Sequence, residues 1–114
     1  MILFVLLLPV LFGFMALSID VGLIYLTRTR MQLAADAGAL AGSAEIDPAV
    51  AESVASDYAM RNGAKRTITT VNNGVVEIRA EQQIGVLFLD LIGKSPITIG
   101  AYACAKSQRL VSCP

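Results

Sequence analysis

The sequence contains no histidine and no tryptophan, only two cysteines, and a charged fraction of 16%. Without histidine there is no imidazole base, which excludes Ser-His and Cys-His nucleophile pairs. Two cysteines alone exclude most zinc, haem and iron–sulfur frameworks. Nine Lys/Arg balance nine Asp/Glu. No basic block concentrates the positive charge needed to displace phosphate counterions, so a nucleic-acid partner is excluded. Soluble domains carry about 25% charged residues, so part of this chain's apolar surface must face something other than water. The deficit is local: no charged side chain precedes Asp20, and the remaining 95 of 114 positions carry all the charge. Asp20 and Asp36 would lie about 24 Å apart on a straight helix, and Glu77 with Glu81 belongs to a wet strand face. No carboxylate pair is therefore placed for acid–base work. The chain is read as a non-enzyme with no catalytic residue, cofactor or metal.

Residues 1–17 read MILFVLLLPVLFGFMAL, and apolar character continues past Ser18 and Asp20 to Leu26. A helix over 1–26 would be about 39 Å long, enough to cross a hydrocarbon layer of roughly 30 Å. A cleaved secretory signal would need a basic leading region, which is missing. A buried core helix is excluded because about 90 further residues cannot wrap an all-round hydrophobic rod. The segment is expected to reside in a membrane or to pack among copies of itself, with a bend or local opening near Pro9.

After Leu26 the run TRTRMQLAADAGALAGSAEI holds helix formers and no breaker before Pro48, so one continuous helix over 1–46 is expected. Small residues recur every four positions, Ala34, Gly38 and Gly42 on one stripe and Ala35, Ala39 and Ser43 beside it. Such stripes let helix backbones approach closely. The stripe serves either a helix–helix contact between subunits or a seat for the chain's own sheet. Asp20 is the polar residue singled out, because an acid in an apolar helix is costly unless paired. It either marks the membrane–water boundary or meets a positive group in an assembly: Arg28, Arg30 or the amino group of Met1.

Residues 47–114 read as a small α+β head. Asp47-Pro48 starts a helix of about 15 residues and Asn62-Gly63 stops it. Val50, Val54, Ala55, Tyr58 and Ala59 are its expected docking face. Asn73-Gly74 between two β-branched runs signals a hairpin, with Val76, Ile78 and Ala80 inward and Glu77, Arg79 and Glu81 outward. VLFLDLIG suits a short helix over the core, and Pro96 opens a third strand. The fold class is thus a long apolar N-terminal helix followed by a helix-backed antiparallel sheet. Cys104 and Cys113 are close enough in sequence for a disulfide, with two separate thiols as the alternative.

The run LLLPVLFGFMALSIDVGLIYLTRTRMQLAADAGALAGSA resembles the N-terminal segment of TadG-like proteins of the tight-adherence (Tad) pilus system. The shared positions are Pro9, Asp20, Val21, Gly22, Tyr25, Arg28, Arg30, Gln32, Ala34, Ala35, Asp36 and Ala37. The resemblance implies a bacterial envelope protein of the pilus class, with a membrane helix, an exported C-terminal part and the pilus assembly machinery as partner. These 114 residues do not include the large downstream domain of many family members, and Val5 stands where type IV pilins carry Glu. Arg28 and Arg30 follow the apolar segment, so the positive-inside rule opposes export. Removal of a basic leader, as in pilin maturation, would resolve that conflict; Met1 as initiator is the alternative.

The leading functional expectation is a structural, pilin-like subunit that polymerises with itself through its N-terminal helix. It would lie in the inner membrane before assembly and in an extracellular filament afterwards. The alternative is a membrane-anchored accessory protein of Tad pilus assembly.

Overall fold

A computed structural model describes residues 1–94, 96–106 and 109–110. Helix α1 (Ile2–Ser43) is followed by α2 (Pro48–Arg61), β1 (Arg66–Asn72), β2 (Val75–Ile84), the short α3 (Leu87–Leu91), β3 (Ile97–Lys106) and β4 (Arg109–Leu110). The strands form one antiparallel sheet in sequence order, β1-β2-β3-β4. The fold is α+β, and its long dimension, 70 Å against 23 and 22 Å, is set by α1. That helix runs through Pro9 without ending there.

Local chemistry accounts for the boundaries. Asp47 accepts a hydrogen bond from the Ala49 N–H at 3.0 Å, and Pro48 opens α2 where no intrahelical donor is needed. Asn62 ends it, and Gly63 takes a positive φ of 110°. Asn72 pairs with Val75 across Asn73-Gly74, whose φ angles of 52° and 78° are those of a two-residue hairpin turn with both central residues left-handed.

Alternation along β2 buries Val76, Ile78 and Ala80, and α1 covers that face together with β3. On α1 the buried positions are Asp20, Thr27, Met31, Ala34, Ala35, Gly38, Ala39, Gly42 and Ser43. They recur at steps of three, four and seven, so one stripe of the helix is seated in the head. Helix α2 lies against α1 and β1, with Ser56 Oγ 2.9 Å from Thr69 Oγ1. Its buried face is Ala51, Ala55 and Ala59, whereas Val50 and Tyr58, expected on the docking face, are exposed. The rotation has a packing cause. The surface that α2 meets on α1 is built from glycine and alanine, and the closest backbone approach selects the smallest side chains on both helices.

Candidate functional site

Positions 2–19 of α1 are uncharged, and none of them is buried. At 1.5 Å per residue they span about 27 Å, close to the roughly 30 Å thickness of a hydrocarbon layer. Helix α1 is long and apolar enough to cross a membrane. Within this stretch the Ser18 hydroxyl donates to the Phe14 carbonyl at 2.9 Å, so its polar group needs no water.

Asp20 stands where the bare stretch meets the head, and it is 4% exposed. Its Oδ1 accepts a hydrogen bond from the Leu87 backbone N–H at 2.9 Å, and its Oδ2 accepts one from the Phe88 N–H. These are first-turn amides of α3, which have no intrahelical acceptor. The residue before α3 is Val86, and no side chain caps that helix locally. A carboxylate from a different helix thus performs the capping, and the two N–H groups supply what a desolvated acid requires. The signal was readable in part: a helix preceded by Gly85-Val86 lacks Ser, Thr, Asp or Asn at its cap. An acceptor had to come from elsewhere in the chain.

The other singled-out residues fall in two places. Ala34, Gly38 and Gly42 are buried inside the chain's own head. A Cβ on Gly38 would stand 2.6 Å from the Ala55 carbonyl oxygen and 2.8 Å from Ile78 Cδ1. On Gly42 it would stand 2.9 Å from both the Ala51 oxygen and Ala55 Cβ. The stripe therefore seats α2 and β2, with Ala51, Ala55 and Ala59 as its complement. That second four-residue repeat was visible in the sequence and is what identifies the partner. Arg28 and Arg30 are exposed, and within the chain both Asp20 oxygens accept from backbone amides. Arg28 lines an open hollow of about 380 Å³ with Gln32, Arg79, Gly100, Ala101 and Tyr102. There Gln32 Nε2 donates to Asp36 Oδ1 at 3.0 Å and to the Tyr102 carbonyl at 3.3 Å.

The carboxylates considered for catalysis are engaged separately. Asp36 accepts from Gln32, and Glu81 pairs with Arg79 Nε at 2.8 Å. Partial desolvation, with a hydrogen bond to Glu77 and repulsion from its charge, raises the Tyr102 phenol above its ordinary value of 10.0. Among the described residues no group of three or more His, Cys, Asp or Glu comes together as a metal site. Cys104 is buried in β3. Cys113 lies outside the described residues, and so does the pairing expected between the two.

No curated protein and no solved structure matches the chain. The family described as Putative Flp pilus-assembly TadE/G-like matches residues 1–57, half of the sequence, covering the bare segment, Asp20, the glycine stripe and most of α2. A bare apolar helix rooted in a small head and this match over half its length agree, and the chain belongs to the TadE/G-like family of Flp pilus assembly.

Proposed function

We propose that this chain is a membrane-anchored, pilin-like component of the Flp pilus-assembly apparatus, with its head held at the outer face of the inner membrane. The observation that carries the reading is the length of the bare helix. About 27 Å of uncharged α1 precede the first buried acid, and the head begins there. The small-residue stripe, which would otherwise support a contact between copies, is occupied by α2 and β2 of the same chain. What remains outside the head is a surface suited to lipid.

A second reading has its own support. The same bare segment is continuous with the packed half of α1, so a copy withdrawn from lipid could bury it against the corresponding segments of neighbours in a filament. The two readings differ in where the protein accumulates. Cells producing pili are sheared, and the chain is quantified in the filament fraction and in the membrane fraction by mass spectrometry. An assembly component stays in the membrane and is scarce in sheared filaments. Abundance there comparable to the main filament subunit would replace the proposal with the second reading.

A further inference from the structure

Exposed apolar surface does not stop where the bare helix enters the head. Beside Asp20, α3 and the turn after it present Leu87, Phe88, Leu91 and Ile92, exposed by 59%, 40%, 83% and 54%. Four large apolar side chains within six positions form an unpartnered patch on a small head. At 100° per residue they spread over about 140° of one side, while Asp90 falls on the flank.

The place of the patch identifies what it meets. Hydrogen bonds from the Leu87 and Phe88 amides to Asp20 hold the first turn of α3 at the level where α1 leaves its uncharged stretch. The patch is therefore continuous with the lipid-facing surface and lies at its rim. Tyr25, 73% exposed, sits five positions beyond Asp20 and about 140° around the helix axis from it, on the other side of the exit. An apolar ring with a polar hydroxyl is the kind of side chain that settles at a membrane–water interface. Lys94 follows the patch and is exposed, with a stem able to lie along apolar surface while its ammonium reaches headgroups.

We propose that residues 87–92 are a second membrane contact. They form a foot in the headgroup–acyl boundary of the bilayer, fixed by Asp20 at the depth where α1 emerges. The foot restrains the tilt of the head against the membrane, which a single spanning helix does not do. The inference rests on the apolar half of α1 spanning a bilayer. It concerns the chain while it resides in the membrane, a state that both the assembly component and a filament subunit before its withdrawal would pass through.

The absence of tryptophan makes the test direct. Full-length variants carrying one new tryptophan, Leu91→Trp, Phe12→Trp or Leu40→Trp, are reconstituted in vesicles of phosphatidylethanolamine and phosphatidylglycerol. A fraction of the lipid is brominated either near the headgroup end of the acyl chain or near its tail. The expected result for Leu91→Trp is blue-shifted emission quenched more by shallow than by deep bromine. Phe12→Trp should be quenched by deep bromine, and Leu40→Trp, far along the head, should be neither shifted nor quenched. Adding Asp20→Ala to Leu91→Trp should reduce the quenching, because the foot loses its tether. If Phe12→Trp is quenched while Leu91→Trp behaves like Leu40→Trp, the foot is wrong and the span stands. A blue-shifted but unquenched Leu91→Trp would mean that protein covers the patch, and this also overturns the proposal. Failure of Phe12→Trp to be quenched removes the span and the foot together. The shearing experiment is decided separately.

Discussion

Asp20 Oδ1 lies 2.9 Å from the backbone nitrogen of Leu87, a residue 67 positions later in the chain. This contact joins the end of the bare helix to the segment between the second and third strands, and makes one acidic side chain the pin between that helix and α3. Removing it should have a local and a global effect. Asp20→Ala leaves the Leu87 and Phe88 amides without an acceptor, at a cost of roughly 1–3 kcal/mol. Urea unfolding in detergent micelles should show that loss, and hydrogen exchange at the α3 amides should accelerate more than in the sheet. Unchanged α3 protection would mean that the carboxylate is not its cap. Asp20→Asn keeps one acceptor oxygen and should fall between Ala and wild type.

At the head's other end, Asp47 caps α2 through the Ala49 N–H. Asp47→Ala should destabilise the head by about 1 kcal/mol, with Asp47→Ser recovering most of it. The effect is read as a shift in the thermal midpoint. Equal midpoints for all three proteins would show that Pro48 and the packing of Ala51, Ala55 and Ala59 are enough to set the start of α2.

Tyr102 gives the expected alkaline behaviour. Its phenol is raised by partial desolvation and by Glu77, so the folded chain holds that proton to higher pH than the unfolded chain does. Between the ordinary tyrosine value of about 10 and the raised folded value, the unfolded state binds fewer protons, and stability falls as pH rises. Ultraviolet titration should show a phenolate step above the ordinary range that disappears in Tyr102→Phe. Glu77→Gln should move that step downward. A step that stays in place in Glu77→Gln would separate Tyr102 from that carboxylate.

Much of this architecture was legible because the governing interactions are short-range. Asp47-Pro48, Asn62-Gly63 and Asn73-Gly74 each act on their own few residues, and the alternation of Val76, Ile78 and Ala80 depends only on strand period. The pairing of Asp20 with Leu87 was hidden because it needs the topology that brings α3 back to α1. A carboxylate at the end of an apolar run has many possible partners, and nothing local to Asp20 singles out two amides 67 and 68 positions later. The buried face of α2 departs from its apolar periodicity for a related reason. Periodicity ranks Val and Tyr above Ala as buried residues, but the partner surface is a glycine stripe, against which bulk is a penalty. Reading the repeat of Ala51, Ala55 and Ala59 together with that of Ala34, Gly38 and Gly42 would have paired the helices from sequence alone.

The glycines of α1 separate the half of the helix that serves the head from the half that faces outward. Gly13 and Gly22 have nothing within 4 Å of where a Cβ would stand, whereas a Cβ on Gly38 or Gly42 meets backbone oxygen of α2 at 2.6 and 2.9 Å. Backbone cannot swing aside as a side chain end can, so α2 must shift away from α1. Gly38→Ala and Gly42→Ala should each destabilise the head by roughly 1–3 kcal/mol through overpacking. This exceeds the helix-propensity gain of up to about 1 kcal/mol that alanine brings. Gly13→Ala and Gly22→Ala receive that gain without the clash and should leave head stability unchanged or slightly higher in micelles. The combination of Gly38→Ala with Ile78→Val removes the Cδ1 atom at 2.8 Å but not the Ala55 oxygen, so only part of the loss should return, read as a coupling in a double-mutant cycle. Pilus assembly in cells then distinguishes the two halves of α1. Loss of assembly in Gly13→Ala or Gly22→Ala, with a stable head, would locate a contact with another protein on the exposed side of α1 at or near its bare stretch. Loss confined to Gly38→Ala and Gly42→Ala would follow from the damaged head alone.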